Sequence, residues 1–300
     1  MLKYILFLII IATNIFAQEW MMNTPDGAKI YVNEKGKGDT IIVLHGGWGA
    51  EHSYLIPAFE NFYNDYHFVF YDQRGSLRSP CPDSLVTVDA HVDDLKQLID
   101  ALDCKNITII SHSMGGFLAM KFVEKYPGII KKLILVSSLT ISGNMKMYTE
   151  DLNDSALKRW ERQDVIDTLK SHNLYKKDRK KMSDKEKGTW HRITFSAINL
   201  HDIKNWRKLK SAFFFRQGAN VAAGESMGNE WDFTPILSQK DLLITFIHGD
   251  DDYLPVKYHT NLSKTMDVKI DLEIIQDAGH LIWIDNRNDF NEILSQILSK

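Results

Sequence analysis

Three short stretches of the chain hold residues that could act together on a carbonyl carbon. The first is Ser113, in ITIISHSMGGF (107–117). The second is the aspartate run of HGDDDYLP (248–255), and the third is His280, in DAGHLIW (277–283). A serine hydroxyl is not ionised near neutral pH and is a poor nucleophile alone. It needs a general base within hydrogen-bond reach, and a histidine base needs a carboxylate to hold its tautomer and orientation. Ser113, an aspartate of the 250–252 run and His280 are the candidates for those roles, with acyl transfer as the chemistry.

Such residues act together only if the fold brings them to one place. Apolar runs and helical patterns alternate along the chain. Strands are predicted at 40–47, 67–75, 106–111, 131–138, 241–250 and 269–280. Helices are predicted over 89–102, with apolar spacing at Val92, Leu95, Leu98, Ile99 and Leu102, and over 114–126, near 257–266 and over 287–298. That alternation implies a mostly parallel sheet with helices on both faces. In such sheets ligands bind at the carboxyl ends of the strands. Each of the three stretches leaves a strand end, so all three face one edge. The order serine, acid, histidine fits a strand–turn–helix elbow that exposes the nucleophile. The elbow is written Gly-x-Ser-x-Gly, and here Ser111 stands for the first glycine. Serine is small enough for that cramped turn, while Gly115 and Gly116 keep the helix start close to the sheet.

These residues resemble the α/β-hydrolase superfamily over nearly the whole length that follows the leader. Within it HGGWG (45–49), YDQRGSLRS (71–79) and SHSMGG (111–116) are similar to the proline iminopeptidase group, with Trp48, Leu77 and Ser111 as departures. The resemblance implies a helical cap over the site, no metal and no cofactor. It also implies backbone oxyanion donors, because the tetrahedral intermediate needs fixed dipoles aimed at its oxygen. Met114, at a helix start, supplies one N–H and Gly47 the other, with Trp48 as runner-up donor and as a candidate substrate contact. In the superfamily the acid commonly lies three residues past a glycine, which selects Asp252 after Gly249. Counting back from Pro255 selects Asp251 instead. Glu161, after Trp160 in LKRWERQ (157–163), resembles a Trp-Glu pair in the cap of proline iminopeptidases and is the candidate anchor for a substrate ammonium. Glu225 and Glu230 are weaker candidates.

Other residues have plainer readings. His45 supports the oxyanion loop, His112 points away from the nucleophile, and Asp72 and Arg74 lock the turn after their strand. The alternation breaks between 139 and 234, which reads as a helical insertion over the sheet with no convincing strand. KKDRKKMSDKEK (176–187) within it reads as a solvated surface. The organisation is a leader over 1–17, a core of 18–138 and 235–300, and a cap of 139–234.

Lys3, a short apolar core and Ala17 read as a secretory signal peptide. The alternative is an uncleaved anchor, but about 10 apolar residues fall short of the ~20 that span a bilayer. The expected location is secreted or periplasmic. Of the 300 residues, 25% are charged and the formal net charge is −3, so nothing in the charge argues for nucleic acid or an anionic membrane surface, and no nucleic-acid partner is expected. Cys81 and Cys104 are expected free and buried, because the helix between them carries them to opposite edges. The reading is an exported serine hydrolase, an aminopeptidase on short peptides, with a carboxylesterase or a non-catalytic ligand-binding homologue as alternatives.

Overall fold

The computed structural model describes residues 17–104, 106–211, 214–265 and 271–300. The expected leader, 1–17, lies outside them except for Ala17, where β1 opens. The strands are β1 (Ala17–Asn23), β2 (Lys29–Gly36), β3 (Asp39–Leu44), β4 (Tyr66–Tyr71), β5 (Ile107–His112), β6 (Ile130–Val136), β7 (Ser142–Asn144), β8 (Glu230–Asp232), β9 (Leu243–Gly249) and β10 (Asp271–Ile275). Eight form one sheet in the order β1-β2-β4-β3-β5-β6-β9-β10. From β4 to β10 every neighbouring pair is parallel, while β2 meets both β1 and β4 antiparallel. The chain thus folds as a mostly parallel sheet flanked by helices.

The central strands read as continuous apolar runs because both of their faces are covered. Ile42 and Leu44 point into one core with the helices Val88–Leu102 and Met114–Lys125. Ile41 and Val43 point into the opposite core with the helix Arg287–Leu298. Ile109 and Ile110, and Leu133 and Ile134, divide in the same way. The β1–β2 hairpin was not foreseen. It is an edge element turning through Gly27 at φ +85°, and its short runs of mixed polarity carry a weaker signal than the central strands.

Between β6 and β9 the chain forms a largely helical insertion with an apolar centre of its own, including Val165, Leu169, Ile193, Ala197 and Trp206. Its two ends are clasped by β7 and β8, paired from Ser142↔Asp232 to Asn144↔Glu230. These strands correct the reading of a strand-free insertion. Three residues are too few to show a period in sequence, and the pairing is set by where the chain leaves and re-enters the sheet. The basic run is solvated. Lys177 pairs with Glu186, and Ser183 caps the helix Asp184–Asn199 in a capping box. Cys81 and Cys104 are both free, but Cys104 is only half-buried, with Sγ 3.2 Å from Thr40 Oγ1. Among the described residues no helix is long and apolar enough to cross a membrane.

Candidate active site

Ser113 sits where β5 stops and the helix Met114–Lys125 starts, at φ 53° and ψ −124°. That backbone is strained for a residue with a Cβ, and such strain is typical of a nucleophile held out of a tight turn. The turn is crowded. A Cβ on Gly46 would lie 2.7 Å from Ser113 Cβ, and one on Gly115 would lie 2.7 Å from the His45 carbonyl. Ser111 fits because it is buried in β5, its hydroxyl donating to the Ile134 carbonyl at 3.4 Å.

Asp252 and His280 meet at the same edge. His280 Nδ1 lies 2.9 and 3.0 Å from the two carboxylate oxygens of Asp252. The contact puts the imidazole proton on Nδ1 and leaves Nε2 as an acceptor facing the cavity. Burial pushes the Asp252 carboxyl up. The imidazoles of His280 and His248 and the Leu254 N–H outweigh that and hold it well below the carboxylate range. Asp251 goes elsewhere, to Arg159 at 2.8 Å and to His201 Nδ1 at 3.0 Å. Gly279 precedes His280 because the insertion presses against it there: a Cβ would lie 2.7 Å from the Asn199 carbonyl.

Nε2 is not bonded to Ser113 in this structure. Tyr253 Oη lies 3.1 Å from it, and the tyrosine ring rests on the imidazole with centroids 4.3 Å apart. Sequence reasoning quoted this tyrosine beside Asp252 and gave it no role. A tyrosine following an aspartate has no period or spacing that marks it as a site residue.

The donors around the oxyanion position divide clearly. The Gly46 N–H is taken by Tyr54 Oη at 2.7 Å. Gly47, at φ +69°, and Met114 both line the cavity, and among the described residues neither of their N–H groups meets a backbone acceptor in a turn or loop. His45 braces this loop, with its Nε2 accepting from the Gln73 N–H at 3.1 Å. Trp48 does not belong to the site, contrary to expectation. It is 2% exposed and stacks on His91 at 4.9 Å, in the core behind the loop.

His112 lines the cavity, with both ring nitrogens engaged away from Ser113. Tyr54 donates to its Nδ1 at 2.8 Å and its Nε2–H donates to the His280 carbonyl at 3.0 Å, so it holds the backbone of the catalytic-base candidate. Burial pushes its pKa well below the usual value, as does the nearby His280. Asp72 and Arg74 lock their turn as expected. Asp72 accepts from His52 Nδ1 at 2.6 Å, and Arg74 forms a two-pronged pair with Asp94.

The cavity over Ser113 encloses about 420 Å³. Beyond the elbow its walls are largely apolar, with Phe195, Leu209, Phe214 and Phe215 contributed by the insertion beside the polar His191, Asn199 and Ser211. The carboxylate on this lining is Glu51, which is 2% exposed and bound to Arg78 at 3.2 Å and to the hydroxyls of Ser53 and Ser211. Trp160 and Glu161 do not line the cavity. Trp160 is 44% exposed and donates to the Thr194 carbonyl, and Glu161 is exposed beyond the end of its helix. Glu225 and Glu230 are exposed too. The local Trp-Glu likeness carried no information about which helix face would turn inward. Glu161→Gln is expected to change kcat/KM by less than about twofold on any substrate, as for surface changes remote from a site. A tenfold rise in KM confined to free amines would return Glu161 to the site.

Among the described residues, Glu51, His52 and Asp72 form a group close enough to share a metal ion. The Arg78 guanidinium already bridges Glu51 and Asp72, at 3.2 and 3.3 Å. A cation there would face a fixed positive charge.

Five buried histidines, His45, His91, His112, His248 and His259, have pKa values lowered chiefly by burial, to about 3 for His91 and His259. They are neutral when folded, whereas the unfolded chain takes up protons below pH ~6.5. Stability is then fully present above that pH and falls as pH drops toward the folded values. The melting temperature is expected to fall steadily from pH 6.5 to 5, above the range where carboxylates titrate. A flat melting temperature across that interval in scanning calorimetry would contradict this.

A profile of the alpha/beta hydrolase fold matches residues 39–287. A proline iminopeptidase from Saccharolobus solfataricus is 33% identical over 137 residues, a match spanning 42% of this chain and 44% of that relative's length. Among solved structures, an esterase from Exiguobacterium antarcticum superposes with a TM-score of 0.67 at 20% identity, covering 93% of this chain and 99% of the other. A proline iminopeptidase-related protein from Thermus thermophilus superposes at 0.68 and 24% identity, covering 94% and 98%.

Proposed function

We propose that this chain, which belongs to the α/β-hydrolase family, is an exported serine hydrolase that cleaves small esters of uncharged acyl groups. In this reading Ser113 attacks the carbonyl while His280 takes its proton, with Asp252 holding the imidazole. The N–H groups of Gly47 and Met114 receive the oxyanion, and water then hydrolyses the acyl-enzyme.

The observation that carries the ester reading is the charge inventory of the cavity. An aminopeptidase must bind an ammonium group, and a carboxylate does that by a charge-assisted hydrogen bond. The carboxylate here, Glu51, is already committed to Arg78, Ser53 and Ser211. Apolar walls suit an acyl or alkyl chain, at about 25 cal/mol for each Å² of apolar surface removed from water.

Proline iminopeptidase activity is the second reading, favoured by the 33% identity to the relative from Saccharolobus solfataricus. That match spans less than half of either chain. The two readings separate on a panel of short-chain aryl esters and aminoacyl-arylamides. Turnover is expected on butyrate esters, with no prolyl-arylamide cleavage above the rate of Ser113→Ala. Faster cleavage of the free-amine arylamides would reverse the assignment. Export is tested by the N-terminus of the mature protein, expected at Gln18.

A further inference from the structure

The proton cycle of His280 leaves Tyr253 with an unanswered need. The Tyr253 hydroxyl lies in the cavity within hydrogen-bond reach of the Ser113 hydroxyl, and 3.1 Å from His280 Nε2. Nε2 has one lone pair, so it accepts from one donor at a time. When it takes the Ser113 proton it becomes a donor itself and can no longer accept from the phenol. A half-buried donor that loses its acceptor turns to whatever acceptor is near, and Ser113 Oγ, by then bonded to the acyl carbon, is a poor one. The atom that arrives beside Nε2 at that moment is the leaving atom of the tetrahedral intermediate, because Nε2 must next give it a proton. Tyr253 Oη already occupies that side of the imidazole, its ring held against His280 at 4.3 Å and its backbone fixed by adjacency to Asp252. Burial, and then the Asp252 charge, push the phenol's pKa up, so it stays protonated and remains a donor.

We propose that Tyr253 is a catalytic residue on the leaving-group side, its hydroxyl donating a hydrogen bond to the departing alcohol oxygen while His280 protonates it, and that this second donor directs the enzyme to unactivated alkyl esters. The inference rests on the ester-hydrolase reading and names its substrate class. In the step concerned the bond between the carbonyl carbon and the leaving oxygen breaks. Its electron pair goes to that oxygen, which takes the Nε2 proton. The phenol keeps its own proton throughout. An alkoxide oxygen has lone pairs for both donors. The nitrogen of an amide-derived intermediate has one, which the Nε2 proton consumes, leaving the phenol without an acceptor. The same geometry thus favours esters over amides.

The test compares wild type with Tyr253→Phe on ethyl butyrate and 4-nitrophenyl butyrate, which share an acyl group and differ in how much help the departing oxygen needs. The ratio of kcat/KM on the ethyl ester to that on the nitrophenyl ester is expected to fall about tenfold or more in the variant, the size of one hydrogen bond to a charged acceptor. A ratio within twofold of wild type would overturn the proposal, whether both rates drop together or neither does. Labelling with a fluorophosphonate counts correctly folded sites in each sample. Should the variant fail to fold, wild type still decides: kcat/KM across a series of alkyl and aryl butyrates is expected to vary weakly with leaving group, and a steep dependence would overturn the role. Failure of the hydrolase reading looks different, with wild type cleaving neither ester and Ser113 remaining unlabelled.

Discussion

Ser113→Ala is expected to lower kcat/KM on an aryl butyrate by about a millionfold, because triad members act as a unit and removal of the nucleophile leaves only binding and the oxyanion donors. The melting temperature is expected to stay within about 2 °C of wild type, since 1 kcal/mol shifts a protein of this size by only a few degrees. Alanine keeps the Cβ that the elbow already accommodates at φ 53°, so no new strain is introduced. The hydroxyl that is lost makes no side-chain cap on the following helix. The organophosphonate adduct should vanish with the hydroxyl. Turnover within tenfold of wild type would show that Ser113 is an inert turn residue, whatever the elbow's shape.

Replacing Asp252 by asparagine is expected to cost about ten-thousandfold in kcat. The carboxylate holds the Nδ1–H tautomer through two contacts, at 2.9 and 3.0 Å, and stabilises the imidazolium that forms. Asparagine removes the charge and can present its NH₂ to Nδ1, which would move the proton to Nε2 and take the base away. Asp251→Asn is expected to change kcat by less than tenfold. Asp251 is 41% exposed and its partners are Arg159 and His201, so an ion pair worth roughly 0.5 kcal/mol at such a site is all that weakens. A larger loss in Asp251→Asn would mean that the loop rearranges in solution and that Asp251 is the acid.

The choice between these neighbours shows how far local spacing carries. Counting from Gly249 and counting from Pro255 point to different aspartates. Gly249 ends β9, and the backbone that follows is pinned by Asp251 N–H to the Ala278 carbonyl at 3.0 Å. The glycine side is therefore the fixed end of the loop. Gly249 also has to be glycine, because its would-be Cβ would run into the Ala278 and Gly279 carbonyls.

The sequence by itself determined the parallel part of the sheet and the edge at which the candidate residues gather. A central parallel strand buries both faces, so it must be a continuous apolar run, as at Ile41–Leu44 and Leu133–Val136. A residue just past such a strand has its place dictated by the strand. Ser113, Asp252 and His280 were legible for that reason. Only the tertiary structure decided the insertion and what it brings to the cavity. Trp160 and Glu161 stand on a helix whose inward face is chosen by packing against other helices of the insertion, and a polar amphipathic pattern does not say which neighbour that will be. Trp48, Tyr54, His112 and Tyr253 have roles defined by partners distant in the chain, such as Tyr54 with His112 and His112 with the His280 carbonyl. Such contacts have no period. They arise when separate strand ends converge, and the number of side chains that could meet there is far larger than a pattern along one chain can sort.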